Sequence, residues 1–347
     1  TLGETFTTGS ASNYTSSLAC TGNATALAGS VLTVNNADRA IVCTYTNTRK
    51  SATLRLAKAW GANSISGNVA NIGATTGLLN NTSAFTSTAS TANNSNTVTV
   101  YAGETVTLPA ETMSTGTLAN YTTSLSCDNG VTPSGSNGQS SNTVSIPNTF
   151  SGLITCTYTN TRKSATLRLA KAWGANSIAG NVANIGATTG LINNTTALTS
   201  TASTNTNGTA VTVYAGETAT LPAETMSTGT LANYTTSLSC DNGVTPSGAN
   251  GQSSNTVSIS NTVSGLITCT YTNTRKSATL RLAKAWGANS ISGNVANIGA
   301  TTGGTNNTTA FTSTASTATN SATVTVYAGD TLTLPAETMS TGTLANY

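Results

Sequence analysis

Between Ala52 and Trp60, Leu54, Leu56, Lys58 and Trp60 fall on one face of an alternating pattern, and Thr53, Arg55, Ala57 and Ala59 on the other. A period of two marks a β-strand with one buried face. The apolar row contains a lysine, Lys58. Residues 154–162 (ITCTYTNTR) alternate in the same way, setting Ile154, Cys156, Tyr158 and Asn160 against a row of threonines. That buried row ends on an asparagine. In VTLPAE, strict alternation groups Val106, Leu108 and Ala110 and sends Glu111 to the opposite face. A bulge near Pro109 is therefore expected if Glu111 is to look inward. Between such runs lie Gly-containing turns such as VYAGE and a Gly/Pro/Asn/Ser-rich stretch at 128–142. The chain is thus expected to be all-β, built of short strands and tight turns.

The pattern recurs along the chain. Arg49, Arg162 and Arg275 head three copies of RKSATLRLAK at 49–58, 162–171 and 275–284, a period of 113 residues. Solenoid and propeller repeats run at about 20–50 residues. A longer period can close its own core as about seven short strands in an Ig-like sandwich. The first copy is shorter, because Cys20 to Cys127 spans 107 residues whereas Cys43 to Cys156 spans 113. The six missing residues point to an exposed loop at 128–142. Residues 334–347 resemble 1–14, so the sequence reads as a window of a longer array. The expected frame is 1–50 as a C-terminal part, 51–163 and 164–276 as complete repeats, and 277–347 as an N-terminal part. The junctions are expected to be short and strand-like, making a stiff fibre.

Six cysteines fall as Cys20 and Cys43, Cys127 and Cys156, and Cys240 and Cys269, with spacings of 23, 29 and 29. None has the C-x-x-C spacing of a redox or zinc site. A disulfide within each repeat is expected, and with it an oxidising compartment such as the cell exterior.

Charged residues are 7% of the chain and aromatic residues 5%. Twelve of the thirteen basic residues lie in the three RKSATLRLAK copies, four along one strand. Nucleic-acid binding would need them spread over a face with stacking aromatics. Histidine is absent, which removes the usual general base, the Ser/His/Asp triad and most zinc sites. No apolar run is long enough to cross a membrane. No cofactor and no metal are expected.

Of the ten carboxylates, all but Asp38 recur with the period and can be sorted by place. Glu104, Glu217 and Asp330 sit in the VYAG turn and are expected to be solvated. Asp128 and Asp241 follow a cysteine at the head of the variable loop. Glu111, Glu224, Glu337 and, in the divergent first segment, Glu4 each lie ten residues before a tyrosine. These are the acids expected to meet the lysines.

Lysine in an opening strand before Trp (LAKAW), glutamate in a middle strand (TLPAE) and asparagine in a closing strand (TYTNT) resemble the Cna-B or prealbumin-like (SpaA-type) repeats of bacterial surface proteins. The resemblance covers the whole period. It implies an intramolecular isopeptide bond between Lys and Asn, assisted by the acid. The implied sets are Lys58, Glu111 and Asn160, then Lys171, Glu224 and Asn273. Lys284 with Glu337, and Glu4 with Asn47, are partial sets. The chemistry is sound in itself, since an apolar site favours a neutral amine and a buried acid can polarise the amide and carry protons. Two other readings stay open: a noncovalent buried or snorkelling Lys–Glu pair, and a ligand site. Trp60, Trp173 and Trp286 are expected in the core or at domain junctions.

The function expected from all this is structural: stalk or fibre repeats of a large bacterial surface adhesin. An alternative is a filament subunit whose incomplete end domains complete one another between molecules. A second alternative is a glycan- or ice-binding repeat, suggested by TVTVY. The expected partners are neighbouring repeats and other copies of the chain. No enzyme is expected, beyond the self-catalysed formation of an isopeptide bond.

Overall fold

The structure, a computed structural model, describes residues 1–138, 142–252 and 255–347. The expected loop at 128–142 therefore lies partly outside the described residues. Contacts divide the chain into two compact units, Thr1–Lys163 and Ser164–Tyr347.

In the first unit, β1 (Tyr14–Thr21) and β2 (Val42–Arg49) form an antiparallel pair. After Lys50 the chain enters β3 (Ser51–Trp60), then β4 (Val69–Ile72), β5 (Phe85–Thr88), β6 (Asn93–Asn94) and β7 (Val98–Tyr101). It continues through β8 (Thr105–Leu108), β9 (Glu111–Thr115), β10 (Tyr121–Cys127), β11 (Asn142–Ser145) and β12 (Leu153–Arg162). One sheet has the order β10-β12-β3-β6, with β7 also paired to β3. A second has the order β5-β4-β9, and β8 pairs with β11. The described part of 51–163 thus holds ten short strands where about seven were expected. Part of the surplus comes from β8 and β9, which separate as the chain passes from β11 to β4, and part from β6 and β7, which pair separately with β3.

The apolar rows read from the sequence are the core. Leu54, Leu56, Val100, Val106, Leu108, Ile154, Cys156 and Tyr158 are buried together. The second unit repeats the arrangement with Leu167, Leu169, Val213, Leu221, Ile267, Cys269 and Tyr271.

Two features set the geometry of the site. First, β3 and β12 run parallel and adjacent, with Lys58 in register with Tyr158 and Trp60 with Asn160. The opening and closing strands of the segment are therefore hydrogen-bonded neighbours, although 102 residues separate Lys58 from Asn160. Second, Glu111 faces inward without the bulge expected near Pro109. Pairing simply stops at Pro109 and Ala110, where β8, bonded to β11, gives way to β9, bonded to β4. Proline has no amide proton to give a ladder, so the break sits where the ladder would lose a bond anyway. With the alternation reset, Glu111 is 3% exposed. A register shift does occur in this sheet, but between Val69 and Ala70.

All three disulfides are formed: Cys20–Cys43, Cys127–Cys156 and Cys240–Cys269. Each joins residues directly opposite one another in an antiparallel pair, with Cα atoms 4.0 Å apart. The bond thus ties neighbouring strands of one sheet and does not tie the sandwich across its core. Its effect is to close the loop between β10 and β12. Reducing Cys127–Cys156, at a sequence separation of 29, is expected to remove about 3–4 kcal/mol of stability. The urea midpoints of oxidised and reduced chain measure this, and equal midpoints would contradict it.

Candidate cross-linking site

Lys58 reaches the centre of the first complete site from β3. The Lys58 and Glu111 side chains both have 0% exposure. The Nζ atom lies 3.2 Å from Glu111 Oε1 and donates to the carbonyls of Ala59 at 3.1 Å and Tyr158 at 3.3 Å. It also lies 4.6 Å from the centre of the Trp60 ring. From β12, Asn160 Nδ2 donates to the same Glu111 Oε1 at 2.7 Å. One carboxylate oxygen therefore touches both the amine of the lysine and the amide nitrogen of the asparagine.

The second complete site reproduces this geometry. Lys171 Nζ is 3.2 Å from Glu224 Oε1, and Asn273 Nδ2 donates to that oxygen at 2.7 Å. Burial pulls the Lys58 and Lys171 ammonium groups down to about 8, while the charge and hydrogen bond of Glu111 or Glu224 partly restore them. Desolvation disfavours the charged form of an amine, and the paired carboxylate offsets only part of that cost. Tyr158, whose hydroxyl donates to the Pro109 carbonyl, is pushed up by burial and by the nearby Glu111 charge.

The partial sets also meet. Lys284 Nζ lies 2.8 Å from Glu337 Oε1, and Asn47 Nδ2 donates to Glu4 Oε1 at 2.8 Å. Lys284 and Glu337 keep 17% and 29% exposure, against zero in the complete sets. Full desolvation of the pair coincides with a closing strand such as β12 lying beside the opening one.

The tryptophans cap these sites. Trp60 donates from Nε1 to Ser87 Oγ at 3.0 Å and meets Tyr121 edge-on, with centroids 5.6 Å apart. The Tyr121 hydroxyl accepts from Ile65 N and Asn68 Nδ2. The ring thus closes the lysine end of the core.

One member of the site was missed from sequence. Asn137, in the variable loop, donates to Glu111 Oε2, and Asn250 does the same to Glu224 Oε2. Two asparagines therefore hold the two oxygens of each acid. The signal was faint, since Asn137 is one of many asparagines in a polar loop and only its return at Asn250 marks it. Among the described residues, Oδ1 of Asn137 and of Asn160 is buried without a hydrogen-bond partner.

The turn acids differ from expectation. Glu217 is buried, and the side chains of Glu104 and Asp330 keep only 9% exposure. Glu104 Oε2 accepts from Tyr101 N at 2.8 Å and Glu217 Oε2 from Tyr214 N at 2.7 Å, which closes each turn. An acid in such a Gly turn can be held by its own backbone, and sequence alternation carries no sign of that.

Among the described residues no cluster of His, Cys, Asp and Glu could hold a metal. No helix among them is long and apolar enough to cross a membrane.

The sequence matches the prealbumin-like fold domain family over residues 1–49, 56–162 and 168–275. No curated protein matches it. Among solved structures, the chain is similar to the major pilin protein T-13 of Streptococcus pyogenes at 13% identity, covering 65% of this chain and 97% of that one, with a TM-score of 0.31. It is similar to the Bacillus anthracis TIE protein at 9% identity, covering 87% of this chain and 49% of that one, with a TM-score of 0.35. It is also similar to a Mobiluncus mulieris adhesin described as containing intramolecular disulfide, isopeptide and ester bond cross-links. That match is at 12% identity and covers 66% of this chain and 100% of that one, with a TM-score of 0.27. With its buried lysine, glutamate and asparagine on sandwich strands and three matched segments spanning most of its length, the chain belongs to the prealbumin-like fold domain family.

Proposed function

We propose that this chain is a load-bearing stretch of a bacterial surface fibre or adhesin stalk, whose complete repeats, 51–163 and 164–276, are each closed by an amide between first and last strands. The bonds are Lys58 to Asn160 and Lys171 to Asn273. The observation that carries this reading is the shared carboxylate oxygen, 3.2 Å from the nucleophile and 2.7 Å from the leaving nitrogen.

In the step itself, Lys58 Nζ attacks Asn160 Cγ and gives up a proton to Glu111. Glu111 returns a proton to Nδ2, the Cγ–Nδ2 bond breaks, and ammonia leaves. An amide and a carboxyl group unchanged overall remain, so no external reagent is consumed. Burial supports the step by favouring the neutral amine. The chain thereby modifies itself and turns over no other substrate.

The rest of the fold suits this role. Tension entering at Ser51 and leaving at Arg162 pulls two parallel neighbours past each other, so the pairs from Thr53–Leu153 to Trp60–Asn160 resist together. The disulfide in each repeat belongs to an oxidising, extracellular setting.

Intact-mass spectrometry of the reduced chain is the test. A mass lower by two ammonias is expected, one for each complete set, and the unaltered calculated mass would refute the bonds. Chain refolded before reaction adds a second check. With an amine titrating near 8, the neutral fraction, and so the rate of ammonia release, rises about tenfold from pH 7 to pH 9.

A further inference from the structure

The strongest feature outside the cross-linking site lies where one repeat passes into the next. In the second unit, Arg275 ends the strand Leu266–Arg275 and is 9% exposed. Its Nε donates to the Ala328 carbonyl at 2.7 Å, and its Nη2 pairs with Asp330 Oδ1 at 2.7 Å. Nη1 donates to the Asn176 carbonyl at 3.2 Å and to Thr305 Oγ1 at 3.1 Å. The guanidinium lies 5.6 Å from the centre of the Tyr327 ring. One side chain thus spans the repeat that ends at Lys276 and the Tyr-Ala-Gly-Asp turn of the segment that follows.

The backbone is tied at the same point. Lys276 N donates to the Asn233 carbonyl, and Ala328 N to the Lys276 carbonyl, both at 2.9 Å. Asn176 Nδ2 donates to the Tyr327 hydroxyl at 2.8 Å. Gly329 has φ +84°, and a Cβ there would lie 2.9 Å from Ile178 Cδ1 and 3.1 Å from Asn233 Nδ2. The positive φ calls for glycine, and a Cβ would in addition press on the ends of the Ile178 and Asn233 side chains of the preceding repeat, which would have to shift.

The first unit carries the same device, built from the corresponding residues. Arg49 donates from Nε and Nη2 to the Ala102 carbonyl at 3.0 and 2.9 Å, beside Glu104 at 3.8 Å, and lies 5.4 Å from the Tyr101 ring centre. Lys50 N donates to the Asn13 carbonyl and Ala102 N to the Lys50 carbonyl, again at 2.9 Å. A Cβ on Gly103 would lie 2.6 Å from Asn13 Nδ2.

We propose that the two ends of a repeat are complementary docking faces whose partner is the next copy in the chain, with the closing-strand arginine seated in the Tyr-Ala-Gly-acid turn. The seat fixes the orientation of consecutive repeats at each of these junctions. At Arg275 a buried fork of donors meets a carbonyl and a carboxylate, which is directional, so the arginine holds an angle as well as a distance; at Arg49, with 36% of its side chain exposed, both donors meet the one carbonyl. Burial pushes the Asp330 carboxyl up, yet hydrogen bonds from Thr305, Tyr327 and Arg275 hold it below its ordinary value. The anion is thereby kept for the arginine. This docking does not depend on the isopeptide bonds.

The test uses the full chain with Arg275→Ala, Asp330→Asn and Gly329→Ala made separately. Hydrogen exchange is followed at the Lys276 and Ala328 amides. Electron–electron distances are measured between spin labels at the exposed Thr235 and Thr312, attached through unnatural side chains so that the disulfides stay intact. Loss of the seat is expected to speed exchange at both amides by about tenfold or more, as removal of a charge-assisted contact implies. It is also expected to broaden the label distances, while the Tyr271 amide in the core keeps its protection. Asp330→Asn, which keeps the shape of the side chain, should show the same changes more weakly. Parent-like exchange at Lys276 and Ala328 with parent-like distances in all three variants would overturn the proposal.

Discussion

Replacing Glu111 and Glu224 by alanine is expected to leave the chain at its full calculated mass, with both ammonias retained, and to destabilise each complete repeat by about 3–5 kcal/mol. Two effects act together. The carboxylate oxygen that touches both Lys58 and Asn160 is gone, so no group takes a proton from the amine and returns it to the leaving nitrogen. The ammonium, fully buried beside Trp60, then has only the Ala59 and Tyr158 carbonyls as partners. Glu111→Gln separates the two effects, because the amide keeps the shape and a carbonyl acceptor but cannot carry a proton. Mass spectrometry and urea unfolding of both variants report the result. Ammonia loss persisting in Glu111→Ala/Glu224→Ala would remove the acid from the mechanism.

The second large effect is mechanical. Single-molecule pulling on the native chain is expected to show no extension of the complete repeats, because the proposed amide would pass tension from Lys58 directly to Asn160 and bypass residues 59–159. In Lys58→Ala, that repeat should open in a step of about 250 Å, the contour of the residues that the intact disulfide leaves free. Reduction should lengthen the step to about 350 Å, because residues 128–155 between Cys127 and Cys156 are then released. An extension of about 250 Å in the native chain itself would show that the lysine and asparagine are neighbours and no more.

Much of the site is legible in the sequence. Lys58 and Asn160 were found because each breaks a period-two apolar row, and a polar group in such a row must either pair or pay desolvation. Glu111 was found by scarcity, among ten carboxylates in the chain. Its orientation was not legible, because alternation counts residues along one ladder and Glu111 begins a new ladder after Pro109. The enclosure of the turn acids is illegible for a related reason. Glu104, Glu217 and Asp330 sit in turns that look exposed in sequence, yet their own backbone and, at Glu104 and Asp330, the arginine ending a neighbouring strand enclose them. Asn137 is marked in the sequence only by its return at Asn250, since its partner Glu111 lies far from it along the chain.

The all-β class, the period, the cysteine pairs and the polar breaks at Lys58 and Asn160 are written in the sequence, because repetition and alternation are local properties of a chain. Tertiary structure decided the rest. It made β3 and β12 parallel neighbours, brought one oxygen of Glu111 between two groups 102 residues apart, confined each disulfide to one sheet, and seated Arg49 and Arg275 in the turn of the following segment. Those are matters of which strands lie side by side, and burial with hydrogen bonding across long loops decides that, beyond the reach of any local pattern.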